Sequence, residues 1–210
     1  MWSELTLAIA SLDIPADWIG VRVVKETSQN RNVRDGLPQI NGKSSTLGAM
    51  LEVLVNGCLG YAATNCLELA SLQDAAEKAY KQALVASEWW IYPFRANERP
   101  KVVGQYTSPF LEPLENLSPG EINDVLVRVC KTLKVSDKIV QTKAEAVTTD
   151  QETWFASSNG SEVYQKIMLL STYYGAIAQD GAIVQQRSNN GWQAHSYQGG
   201  IELFKEANLW

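Results

Sequence analysis

The sequence predicts an α+β protein: a mixed or largely antiparallel, twisted β-sheet built from two meander-like halves, with packed α-helices covering it. Three observations carry that expectation. Several segments alternate apolar and polar side chains with a period of two, as a strand with one buried face requires. Asn-Gly and Asp-Gly pairs, which supply the positive φ of tight primed turns, recur between them. Two longer segments instead place apolar residues at helical spacing. Of the 210 residues, 45% are hydrophobic and 20% charged, with 7 Trp and 8 Tyr, so the chain can build a core and does not have the composition of a disordered one.

Leu5, Ile9 and Leu12 share one face of a short opening helix that Pro15 closes. From Trp18 to about Lys25 the period becomes two: Ile19, Val21 and Val23 point one way, and Trp18, Gly20, Arg22 and Val24 the other. Turn signals follow at Asp35-Gly36, Asn41-Gly42 and Asn56-Gly57, and Met50 to Val55 with Leu59 to Ala63 forms the best hairpin of this half. Leu72, Ala76, Ala79, Ala83 and Leu84 predict a helix over 72–87, with Ser71 and Asp74 as a cap-like start. The aromatic run Trp89-Trp90-Ile91-Tyr92-Pro93-Phe94 ends it. Residues 95–117, with three prolines and no sustained period, read as an irregular crossover and candidate linker, holding one short strand near Val102 to Tyr106.

The sharpest local signal is Ser118-Pro119-Gly120-Glu121. Ser118 can accept from free helix-end amides, Pro119 occupies the first helical position where its missing N–H costs nothing, and Glu121 can return a bond to the cap. Behind it Ile122, Val125, Leu126, Val129 and Leu133 form one stripe, with Cys130 beside it as core filling. The period then returns to two. Val140, Thr142, Ala144 and Ala146 alternate with Gln141, Lys143, Glu145 and Val147, and further strands are predicted at 153–156, 162–174, 182–186 and 192–197, with turns at Asn159-Gly160 and Asp180-Gly181. Residues 1–94 and 118–210 thus share a broad order of helix, strand and meander, which suggests two pseudo-repeated halves within one domain of residues 1–210.

Self-contained catalytic chemistry is not visible. The single histidine, His195, has no second imidazole one helical turn away, so the paired-histidine zinc pattern is missing, and His195 reads as a structural residue. Cys58, Cys66 and Cys130 are odd in number and widely spaced, which suggests reduced thiols acting as small buried hydrophobes. Glu121 and Asp124 fall in a first helical turn, where carboxylates favour the helix dipole. Ser157, Ser158 and Ser161 have no identifiable base, and Asn56-Gly57-Cys58-Leu59-Gly60 fits neither a dinucleotide fingerprint nor a phosphate-binding loop. The net charge of -5 supplies no long-range attraction for nucleic acid or anionic lipid, so no direct nucleic-acid contact is expected. No apolar run reaches the length a membrane-spanning helix needs, and Met1-Trp2-Ser3-Glu4 lacks the positive flank of a secretory signal, so the expected location is cytoplasmic.

An ordered set of segments resembles the amino-terminal domain of the TldD/PmbA family, metallopeptidase-related proteins also called modulators of DNA gyrase. Trp18-Ile19-Gly20-Val21-Arg22-Val23 is similar to the first strand with its arginine, and Asn32-Val33-Arg34-Asp35-Gly36-Leu37 to the strand and turn that follow. The stretch from Gly48 to Thr64 is similar to the glycine-bounded strand pair leading into an alanine-rich helix, and Ser158-Asn159-Gly160 to a later turn. Order and spacing hold over about residues 16–205. Glu52 departs from the pattern, standing where family members usually carry arginine.

The resemblance implies a non-catalytic domain that lines a substrate channel and takes part in assembly, in a zinc metallopeptidase acting in proteolysis or peptide maturation. It implies no cofactor in this chain. Zinc is expected only in a carboxy-terminal domain that is absent here, so these residues alone are expected to be inactive. Partners are then flexible peptide substrates and a homodimeric or heterodimeric family subunit, and the resemblance points to Arg22, Arg34, Glu52, Asn159 and Ser161 as a peptide or partner surface. A stand-alone protein-interaction module that pairs with a complete family member is the alternative.

Overall fold

The structure is a computed structural model that describes residues 2–39, 41–89, 91–189 and 195–205. Helix α1 (Trp2–Ser11) leads into strands β1 (Trp18–Arg34), β2 (Leu37–Pro38), β3 (Gly42–Val55) and β4 (Cys58–Thr64), followed by helix α2 (Leu69–Ala86). A crossover with single 3-10 turns at Ala96–Glu98 and Leu114–Asn116 carries the short strand β5 (Val103–Thr107). Helix α3 (Pro119–Leu133), strands β6 (Ile139–Ser157), β7 (Glu162–Asp180), β8 (Ile183–Ser188) and β9 (His195–Gln198), and helix α4 (Ile201–Lys205) complete the described elements. The strands form one open, antiparallel sheet in the order β4-β3-β1-β6-β7-β5, with β2 beside β1 and with β8 and β9 beside β7. The expected α+β class with a large antiparallel sheet and packed helices is therefore what the chain adopts.

The chain divides into two compact units. The first draws on residues up to Glu26, on Thr46–Tyr106 and on Gln151–Lys166; the second draws on Thr27–Ser45, Thr107–Asp150 and residues from Ile167 onward. In the first, the odd-numbered residues Val21 and Val23 of β1 meet Ala49 and Leu51 of β3, Trp154 and Ala156 of β6, Leu5 and Ile9 of α1, and Leu72, Ala75 and Ala76 of α2. A second group in this unit joins Val53 and Val55 to Ala79 and Ala83. In the second unit, Ile122, Leu126 and Cys130 of α3 pack with Val33, Ala144, Ala146 and Leu170, and with Ile201 and Phe204 of α4.

The β3–β4 hairpin closes in the expected place, with Val55 opposite Cys58 and Asn56 at φ 47°. Asp35 likewise takes φ 52° in the turn before β2. Asn41-Gly42 does not form the third expected turn. Its glycine opens β3, and Asn41 Oδ1 instead accepts the Asn32 N–H at 2.8 Å. The strands predicted at 140–147 and 153–156 are one strand of 19 residues, because Thr148 to Glu152 contains no glycine or proline to break the ladder. Helix α2 starts three residues earlier than predicted, and its N-cap, Glu68, makes no side-chain cap bond, so Ser71 and Asp74 are not the start. Ala75 rather than Leu84 completes its buried stripe. Cys130 is buried as expected, but Cys58 and Cys66 are only half-buried. The strand expected over 192–197 lies partly outside the described residues, and β9 runs from His195.

The small side chains of α2 let it close on β4. A Cβ placed at Gly60 would lie 1.9 Å from the Ala79 carbonyl oxygen and 2.8 Å from the Ala83 nitrogen, both backbone atoms that no rotamer change can move. Gly60→Ala is therefore expected to cost about 1–3 kcal/mol or more, the range for overpacking a filled interior. A urea midpoint equal to that of the unsubstituted chain would show that α2 does not seat on β4 this closely.

Helix α4 was not foreseen from sequence, and one carboxylate ties it down. Glu202 accepts the Gly200 N–H at 2.8 Å and the Glu112 N–H at 3.1 Å. Partial burial opposes its charged form, but the backbone N–H groups of Gly200 and Glu112 outweigh that and hold its pKa below the ordinary carboxylate value. A lowered folded-state pKa adds stability that is present above the unfolded pKa and is lost as pH falls through the folded one. The stability difference between the unsubstituted chain and Glu202→Gln is thus expected to be largest near neutrality and to shrink below about pH 4. Denaturant melts across that range check it, and a difference that does not change with pH would show that the carboxylate charge plays no part.

Candidate functional site

Within the first unit, the residues of the crossover that resist any periodic reading assemble the most elaborate polar site. The guanidinium of Arg99 lies 4.5 Å from the centroid of the Trp18 ring and 5.6 Å from that of Phe94. Its Nη1 donates to Glu52 Oε2 at 2.6 Å. Glu52 is 7% exposed and Arg99 27%, so the carboxylate has been taken out of water and the guanidinium supplies the opposite charge it needs there. Phe94 is fixed in turn, since its N–H donates to the Gly57 carbonyl at 2.8 Å in the β3–β4 turn.

The turn between β6 and β7 grips the same segment. Asn159 Nδ2 donates to the Arg99 carbonyl at 2.7 Å, and Ser161 Oγ accepts the Val102 N–H at 3.1 Å. Ser158 joins the turn to β1: its Oγ accepts the Ile19 N–H at 3.0 Å, and its N–H donates to the Ile19 carbonyl at 2.8 Å. Asn159 and Ser161 thus position backbone, and Glu52 positions Arg99.

Arg22 of β1 and Arg99 border a cleft of about 460 Å³ that Gln151, Thr153 and Phe155 of β6 and Gln165 of β7 also line. These are the alternate residues of their strands, opposite in parity to Val21, Val23, Trp154 and Ala156. The cleft therefore opens on the sheet face turned away from α1 and α2. Among the described residues no acidic side chain lines it, although Gln151 Nε2 donates to Glu26 Oε2 at 3.0 Å. Arg34 belongs to the second unit, where it donates to Gln141 Oε1 at 2.7 Å and lies 3.8 Å from Asp35. The structure accordingly gathers Glu52, Asn159 and Ser161 around Arg99–Val102, sets Arg22 in the adjoining cleft, and leaves Arg34 in a different unit. Arg99, Phe94 and Trp18 were missed as site residues. The available signal was Glu52 itself, an acid inside the apolar run Met50 to Val55, which demands a cation somewhere in the chain.

Among the described residues, no group of three or more His, Cys, Asp or Glu side chains is arranged to hold a metal ion. Among the same residues no helix is long and apolar enough to cross a membrane.

Together these features define a class, an α+β protein with an open antiparallel sheet, which in the first unit carries α1 and α2 on one face and a polar cleft on the other. Residues 20–83 match the family model for PmbA/TldA metallopeptidase domain 1, and residues 112–207 match that for the PmbA/TldA metallopeptidase central domain. The chain belongs to the PmbA/TldD family. Solved structures share its fold at low identity. A candidate modulator of DNA gyrase from Bacteroides thetaiotaomicron superposes with a TM-score of 0.70 at 15% identity, over 94% of this chain and 45% of that one. For a candidate modulator of a DNA gyrase from Thermotoga maritima the values are 0.65 and 15%, over 89% and 41%. For TldE from Thermococcus kodakarensis they are 0.62 and 18%, over 88% and 42%. The chain thus spans less than half the length of each of these structures. No curated protein sequence is significantly similar to it.

Proposed function

We propose that this chain is a non-catalytic part of a PmbA/TldD-type zinc metallopeptidase, one that guides flexible peptides toward a reaction centre and takes part in subunit assembly. The observation that carries the proposal is the match to the first and central domains of that metallopeptidase family, whose solved members are more than twice as long as this chain. In this reading zinc and the hydrolytic step reside in the remainder of such a protein, and the work is done in the cytoplasm. The cleft supports peptide guidance. Its neutral amide and hydroxyl groups can meet peptide backbone without selecting side chains, and strands border it on both sides. The exposed segment after α2 supports assembly, because Trp89, Ile91 and Tyr92 are 81%, 97% and 83% exposed, an apolar surface suited to a second subunit.

Binding is expected to be weak, micromolar or poorer, because ordering a flexible peptide offsets much of the contact energy. Titrating an unstructured peptide into isotope-labelled protein should move amide signals of β1, β6 and β7, and methylating several peptide N–H groups should abolish the effect. Absence of localised shifts at millimolar peptide, with the protein still folded, would remove peptide guidance and leave assembly alone. Zinc-dependent cleavage of the peptide by the chain itself would overturn the non-catalytic reading.

A further inference from the structure

We infer that the cleft reads a carboxylate on the peptide, and that Arg22 is the residue that reads it; the inference rests on the peptide-guiding role proposed above. Charge in this cleft is one-sided. Of its described lining residues only Arg22 and Arg99 are ionised, and both are cations. Arg99 is already committed: its Nη1 is bonded to the buried Glu52 carboxylate, and its guanidinium lies over the Trp18 ring. Arg22 is different. It is an exposed side chain in the middle of the otherwise well-buried start of β1, and among the described residues it has neither an ion-pair nor a hydrogen-bond partner.

The surroundings fit an anion better than any other guest. Gln151, Gln165 and Thr153 can donate hydrogen bonds into the cleft, and none of them carries a charge that would repel a carboxylate or compete for it. The nearby acid Glu26 is engaged by the Gln151 amide, and neither it nor Glu52 lines the cleft. A planar guanidinium with a free fork pairs with a carboxylate through two parallel N–H···O bonds, which fixes direction as well as position. A peptide that enters with an acidic side chain or its own terminal carboxylate on Arg22 would therefore lie along the strands in a defined sense, and neutral or basic stretches would be held less well.

The test uses the 210-residue chain and four versions of one unstructured Gly/Ser/Thr/Ala decapeptide. One has a free terminal carboxylate and no acidic side chain. The second has a central Asp and an amidated end, the third Asn in that place and an amidated end, and the fourth Lys. Dissociation constants come from the amide-shift titration at low and moderate salt, for the unsubstituted protein and for Arg22→Gln, Arg22→Lys and, as a control for net charge, Lys131→Gln. Either carboxylate-bearing peptide, or both, should bind about three- to fivefold more tightly than the Asn peptide, the advantage expected for a solvent-accessible ion pair. That advantage should diminish with salt, vanish in Arg22→Gln, return in part in Arg22→Lys and persist in Lys131→Gln. Which of the two acidic peptides gains identifies a terminal or a side-chain carboxylate as the ligand. Equal binding of all four peptides would overturn carboxylate reading while leaving peptide guidance intact. An acid preference retained in Arg22→Gln would overturn the assignment to Arg22. Binding of none would remove both readings together.

Discussion

Arg99→Ala is expected to destabilise the protein by about 3–5 kcal/mol, the cost of removing one partner of a buried pair and leaving the other charge without compensation. The magnitude follows from asymmetry. Glu52 lies on a strand flanked by Leu51, Val53 and Leu54, all fully or almost fully buried, and its own carboxylate is almost fully buried with the Arg99 guanidinium as its ion-pair partner. Removing both charges is another matter. The double substitution Glu52→Leu with Arg99→Met should recover most of the loss, because two apolar groups of similar size replace the pair without an orphaned ion. The two single substitutions and the double one form a cycle measurable by denaturant melts. If Arg99→Ala unfolded at the same denaturant concentration as the unsubstituted chain, the pair would not be a fixed element of the fold.

Leu126→Ala should cost about 2–5 kcal/mol, the range for emptying a fully buried leucine site. Leu126 has no exposed surface and packs in the core that joins α3 to the strands of the second unit. The cap of the same helix provides an internal comparison. Ser118 Oγ accepts the Glu121 N–H at 3.2 Å, and Glu121 Oε2 accepts the Ser118 N–H at 2.9 Å. Both groups face solvent, so water can replace the lost bond, and Ser118→Ala should cost only about 0.5–2 kcal/mol. Denaturant melts of both variants test the order, and a Leu126→Ala protein as stable as its parent would show that the buried face of α3 is misassigned.

The contrast between α3 and the crossover shows what sequence could and could not disclose. The ends and face of α3 are written in local chemistry: a serine, a proline and a glutamate at fixed offsets, followed by branched residues at helical spacing. The hairpin at Asn56-Gly57 is equally local, since the turn's positive φ has to be satisfied within two residues. Arg99 belongs to no such pattern. Its role depends on Trp18, Glu52, Phe94 and Asn159, residues 5 to 81 positions away in sequence, and no periodicity links them. Glu52 stood out as a departure from the family pattern, but its meaning required the partner. The length of β6 was hidden for the opposite reason. A run of threonine, aspartate and glutamine looks like a break in an apolar pattern, yet it contains nothing that stops a strand.

The composition of the two compact units also bears on how the chain comes into being. Strands β1, β3, β6 and β7 each give residues to both units, and each unit is drawn from three separate stretches of sequence. The first unit is not complete until Lys166 has been made, and the second needs residues of α4. During synthesis, β1 and β3 must therefore wait for β6 and β7, more than 80 residues later, before the larger core of either unit can close. Loop closure of that length precedes the contacts that reward it, which slows folding and leaves unpaired strand edges exposed on the nascent chain. Neither unit can be obtained by cutting the polypeptide into two pieces, so a protease that nicks the crossover would part segments that both cores require.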